Sequence, residues 1–109
     1  MENKNLQNFI NEAEVYLPMI RTGILVCSRE GNNSGEMETS LLYTQAFKAA
    51  AVSVGLENIG TMCERLESDL KSATGKSEPI SDQQSRLLLD LLAQIEAMLA
   101  KIRFSTDEF

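Results

Sequence analysis

The chain has 109 residues, enough for one domain with a single core. Its formal charge of −6 disfavours binding to nucleic acid or an anionic membrane surface, which need basic patches. It has no histidine, hence no imidazole base, acceptor or metal ligand, and no apolar run near the ~20 residues that span a bilayer. The opening MENKNLQNF lacks the charged-then-apolar pattern of a secretory leader. Cys27 and Cys63 stand alone, without metal-ligand spacing, and read as free thiols of a cytoplasmic protein.

The first helix is expected within residues 5–27. Leu6, Phe9, Ile10, Ala13, Leu17, Ile20 and Ile24 recur at steps of three and four, which makes one apolar stripe. Glu2 and the asparagines suit its first turn. Pro18 removes a hydrogen bond and clashes with the preceding turn, at about 3 kcal/mol. A kink is expected there, or a short helix followed by a second with Pro18 in its first turn. Gly23 weakens the segment further. Residues 28–35, SREGNNSG, are a loop by composition.

The second helix is expected to start near residues 34–38, where acidic side chains favour the N-terminal dipole. Met37, Leu41, Thr44, Phe47, Ala51 and Val54 give its buried stripe. It ends at Gly55, whose missing side chain permits a positive φ. The third helix spans residues 57–72, with Leu56, Ile59, Cys63, Leu66, Leu70 and Ala73 on its inner face. Glu64, Arg65, Glu67, Asp69 and Lys71 read as outward or flanking. Cys63 is in phase with the apolar stripe and reads as a small core residue, with no histidine to activate it.

TGKSEP, residues 74–79, is the clearest connector. Ser81 then opens a capping box with Gln84. The last helix runs to about residue 103, with Leu88, Leu91, Leu92, Ile95, Met98, Leu99 and Ile102 as a broad stripe. Lys101 and Arg103 sit near its C-terminus, where cations are favoured. Residues 104–109 read as a short, frayed acidic tail. Residues 1–109 therefore form one all-α domain. Short connections favour an antiparallel up-down-up-down four-helix bundle. Phe47, Val54, Ile59, Leu66, Leu91, Ile95 and Leu99 are expected to be buried together.

Residues 41–67 carry the functional signal. Gln45, Lys48, Ala49 and Val52 share one helical face, at i, i+3, i+4, i+7, while Phe47, Ala50, Ala51 and Val54 lie on the other side. One amide and one cation among small residues make a face that a partner can reach. The same alanines are also simply good helix formers.

This stretch resembles the core of a histidine-containing phosphotransfer (Hpt) domain, the four-helix module of bacterial phosphorelays. That family has His-x-x-Lys-Gly on one helix, a Gly-containing turn, then a helix with a Leu, Cys and Leu-Glu pattern. The run here is Gln45, Ala46, Phe47, Lys48, Ala49, then Gly55, then Ile59, Cys63, Leu66 and Glu67. Gln45 holds the phosphoacceptor position, and Ala49 stands where the family has glycine. The resemblance implies that the face of Gln45, Lys48, Ala49 and Val52 docks a response-regulator receiver domain or a sensor kinase. In the family the lysine supports the phosphate; on the residues alone, Lys48 is equally a solvated surface cation.

Gln45 does not titrate near neutrality and is no nitrogen nucleophile toward an acyl phosphate. No Gly-rich phosphate loop is present. Glu64 and Glu67 have the most ligand-like spacing of the carboxylates, but no Glu-x-x-His partner supports a metal site. No catalytic residue, metal or cofactor is expected. The implied function is a non-catalytic interaction module of two-component or chemotaxis-like signalling. The alternatives are a phosphorelay domain whose acceptor histidine has been replaced by Gln45, and a purely structural or dimerising bundle.

Overall fold

A computed structural model describes residues 2–31, 35–74 and 79–107, with side chains for 5–31, 35–74 and 79–102. Four helices follow in order: α1 (Glu2–Glu30), α2 (Glu36–Ser53), α3 (Glu57–Ala73) and α4 (Asp82–Asp107). There is no strand among the described residues. Helix α1 packs on α2 and α4, and α3 packs on the same two, so the helices surround one core. The molecule measures 47 × 19 × 19 Å, close to the ~44 Å that a 29-residue helix spans. No helix is long and apolar enough to cross a membrane among the described residues.

Each expected stripe faces this core. Phe9 of α1 and Phe47 of α2 stack at 5.1 Å between ring centroids, 11° from parallel. Ile59, Cys63, Leu66 and Leu70 of α3 and Leu88, Leu92, Ile95 and Leu99 of α4 are buried with them. Val54 departs from the expectation of full burial. It caps the end of α2 and is only half-buried, packed against the edge of the core. Leu6, Leu41 and Leu56 are half-buried in the same way.

Pro18 does not divide the first helix, which is continuous from Glu2 to Glu30. Pro18 lies on the exposed side, while Ala13, Leu17, Ile20 and Ile24 on either side of it are buried against the same neighbours. Each buried Leu or Ile contributes ~1.5–3 kcal/mol, which together outweigh the ~3 kcal/mol cost of the proline. The helix also outruns its expected end at residue 27. Cys27 extends the buried stripe, Ser28 Oγ donates to the Leu25 carbonyl, and Gly31, at φ 81°, ends the last turn through its N–H on the Cys27 carbonyl. Of the expected loop, residues 32–34 lie outside the described residues.

Gly55 stops α2 as expected, at φ 83°. Its N–H donates to Val52 O at 3.0 Å and that of Leu56 to Ala51 O at 2.9 Å, the two bonds of a Schellman motif. Residues 75–78 of the expected connector lie outside the described residues. The Ile80 N–H donates to the Cys27 carbonyl and so pins the entry to α4 against the end of α1. Ser81 caps α4 by accepting the Gln84 N–H at 3.1 Å. The Gln84 amide reaches Ser72 of α3 at 3.4 Å instead of returning to the cap. Helix α4 continues to Asp107, so residues 104–107 are not the frayed tail expected; residues 108–109 lie outside the described residues.

Gly23 marks the closest approach of α1 and α2. A Cβ there would sit 1.9 Å from Ser40 Oγ and 3.0 Å from the Glu36 carbonyl oxygen. Ser40 is itself buried, with its hydroxyl on the Ile20 carbonyl. Alanine gains ~1 kcal/mol of helix propensity over glycine, but overpacking costs ~1–3 kcal/mol. Gly23→Ala is therefore expected to lower stability in urea denaturation, against the propensity trend. An unchanged or raised midpoint would show that the two helices are not in contact at this point.

Candidate functional site

The four residues singled out on α2 lie along its seam with α3, and the structure divides them into two kinds. Gln45 and Lys48 are half-buried and turned toward α3, while Ala49 and Val52 are exposed. Gln45 Nε2 donates to Glu67 Oε2 at 3.0 Å, and Lys48 Nζ to Glu67 Oε1 at 2.8 Å. Lys71 Nζ, one turn along α3, lies 3.4 Å from Glu67 Oε2. One carboxylate thus holds an amide and two ammonium groups.

Glu67 is buried at 9% exposure, so its reading as an outward residue is corrected. It is i+4 from Cys63 and i−3 from Leu70, both buried, which puts it at the inner margin of the α3 stripe. Its burial is affordable because both oxygens are occupied. Chiefly the Lys48 hydrogen bond, and then that of Gln45, hold its carboxyl down at about 2 despite the opposing effect of desolvation. The same contact raises the Lys48 ammonium above its ordinary value.

Outside this clamp the face is apolar. Val52 is 56% exposed, and its Cγ2 lies over Gly60 of α3, 3.1 Å from where a Cβ would be. Leu42, 65% exposed, extends the row as Leu42, Ala46, Ala49. Sequence reasoning passed over Leu42, although it is three residues before Gln45 and seven before Ala49. Across residues 39–56 the sequence has a single charged side chain, Lys48. Hollows lie elsewhere, at Leu56, Met98 and Lys101 and at Leu17, Pro18 and Leu99.

Neither cysteine is placed for nucleophilic chemistry. Cys63 is buried, and burial pushes its thiol up to about 12. Burial raises Cys27 as well. Glu64 is exposed, and Glu67 is committed to its cations, so the two do not act as a pair. No group of three or more His, Cys, Asp or Glu side chains gathers as metal ligands among the described residues. The arrangement offers hydrogen bonds, two cations and apolar surface. Comparison with protein-family models, with curated proteins and with solved structures gives no match.

The clamp has a pH signature. The folded-state value of Glu67 is depressed, to about 2 from 4.5, so its contribution is complete above 4.5 and is lost as pH falls toward about 2. Glu67→Gln is expected to lower stability by ~1.5–3 kcal/mol at neutral pH, the range for hydrogen bonds to a charged group. The gap between parent and variant should then close across that acid interval. A gap that is constant with pH, measured by urea denaturation, would show that the carboxylate is not held by charge.

Proposed function

We propose that this chain is a non-catalytic, Hpt-like interaction module that docks a receiver domain or a sensor kinase through the α2 face of Gln45, Lys48, Ala49 and Val52. The observation that carries the reading is the clamp itself. Glu67 fixes Gln45 and Lys48 in one orientation beside Val52, in a stretch otherwise free of charge. A preorganised polar pair next to exposed apolar surface suits an interface with a desolvated centre and a polar rim.

The Hpt-like reading includes an up-down-up-down topology. Its support is that contacts between neighbouring helices run in opposite senses, as in Phe9 with Phe47, Tyr16 with Tyr43 and Ile20 with Ser40 on α1 and α2. Gln45 with Glu67 and Val52 with Gly60 follow the same rule on α2 and α3. The setting in this reading is cytoplasmic two-component or chemotaxis-like signalling.

A second reading, a phosphorelay domain whose acceptor has been replaced, draws on the same contact. The Gln45 amide gives Glu67 an N–H, which an imidazole at that position can also give. Both readings expect the chain as it stands to take no label from a phosphorylated receiver. Acid-labile label on this chain would contradict both. Gln45→His becomes labelled under the second reading alone.

Docking is tested by titrating variants against a panel of receiver domains in a calorimeter. Val52→Glu, which puts a charge into the contact, is expected to weaken binding at least about tenfold with the helix content unchanged. Lys48→Ala is expected to weaken binding as well, because it takes from Glu67 its main cation and so loosens the clamp that orients Gln45. Binding by Val52→Glu as tight as that of the parent would place the interface elsewhere.

A further inference from the structure

Helix α1 carries a second row of side chains, distinct from its core stripe. Glu12, Val15, Met19, Thr22, Val26 and Arg29 follow one another at steps of three, four, three, four and three. That is the 3.5-residue period of a coiled-coil seam. Five of the six are exposed, with Val15 at 60% and Met19 at 45%, and Val26 is half-buried. Within residues 15–28 the only charged side chain is Arg21, which is tied down by Glu96 of α4. The row is therefore uncharged from Val15 to Val26 and closed by an acid at one end and a base at the other. Neither Glu12 nor Arg29 is in an ion pair among the described residues.

The order of steps reads the same in both directions. An antiparallel copy of the row, turned about the point between Ile20 and Arg21, stays in register along its whole length. Glu12 then faces Arg29 of the second copy, Val15 faces Val26, and Met19 faces Thr22, each pair occurring twice. A seam that is palindromic in spacing and opposite in charge at its ends complements itself under a two-fold axis.

From this spacing and charge we infer that α1 is a self-association seam, through which two copies of the chain form an antiparallel dimer. The seam is ~26 Å long at 1.5 Å per residue, which belongs with small, transient interfaces. The −6 charge of each copy also opposes approach. The dimer is accordingly weak and concentration-dependent. It rests on α1 alone and does not depend on the docking reading of α2.

Sedimentation equilibrium of the full chain over a range of concentrations is the test, with circular dichroism as the control for folding. The parent is expected to pass from monomer to dimer. Met19→Glu places two carboxylates at the centre of the seam and should leave a folded monomer; if it loses helix content, Val15→Lys serves the same purpose. Arg29→Glu sets acid against acid at both ends and should weaken the dimer at least about tenfold. Combining it with Glu12→Arg should restore the parent's affinity. A parent that is monomeric throughout overturns the inference and leaves the row to a helix of another protein. So does a Met19→Glu variant that dimerises like the parent, or a double reversal no tighter than Arg29→Glu alone.

Discussion

A carboxylate hidden to nine-tenths of its surface must be neutralised where it stands, and in this chain that requirement joins α3 to α2. Glu67 meets it with Lys48 and Gln45 from the neighbouring helix and Lys71 from its own. The three partners are unequal. Lys71 is mostly exposed, at 59% of its side chain, and an exposed i,i+4 pair adds little. Lys48 is half as exposed and makes the shorter contact, so it carries most of the neutralisation. The clamp also fixes rotation. With Gln45 and Lys48 held toward α3, residues one step around α2, among them Ala49 and Leu42, are left facing outward.

The proposed docking role follows from what this clamp can and cannot do. An amide at position 45 gives Glu67 the hydrogen bond it needs but brings no nitrogen that attacks an acyl phosphate. Both cysteines are buried, with thiols held protonated by burial. Among the described residues, this face offers apolar area beside two cations, Lys48 and Lys71, which are materials of recognition. Ala49 adds a methyl where the resembled family has bare glycine, so a partner would meet a slightly raised surface beside Lys48.

The four helices were legible in the sequence because their stripes are long and strictly periodic, and because Gly55 and Ser81 mark two ends with their own chemistry. Of the two expectations at Pro18, a kink or a division, the division failed because a local penalty was weighed without the tertiary burial on both sides of it. The extensions to Glu30 and Asp107 were missed for a similar reason: polar and small residues look like loop until packing or a glycine beyond them sets the boundary. At the site, spacing grouped Gln45, Lys48, Ala49 and Val52, whereas the structure turns Gln45 and Lys48 toward α3 and leaves Ala49 and Val52 exposed. Glu67 was placed outside because a carboxylate is rarely buried unless paired, and its partners lie 19 and 22 residues away on another helix. The signal for it was positional: it sits at core spacing from Cys63 and Leu70.

The central claim is that Glu67 is ionised, buried and held by Lys48 and Gln45. Its most direct test is a carbon-detected NMR titration of the Glu67 side-chain carboxyl in the folded chain. The account expects a midpoint near 2, well below the 4.5 of an ordinary glutamate carboxyl, with the Gln45 side-chain amide protons shifting in the same step. A midpoint in the ordinary carboxylate range, with the Gln45 amide indifferent to it, would contradict the clamp and the fixed face that is built on it.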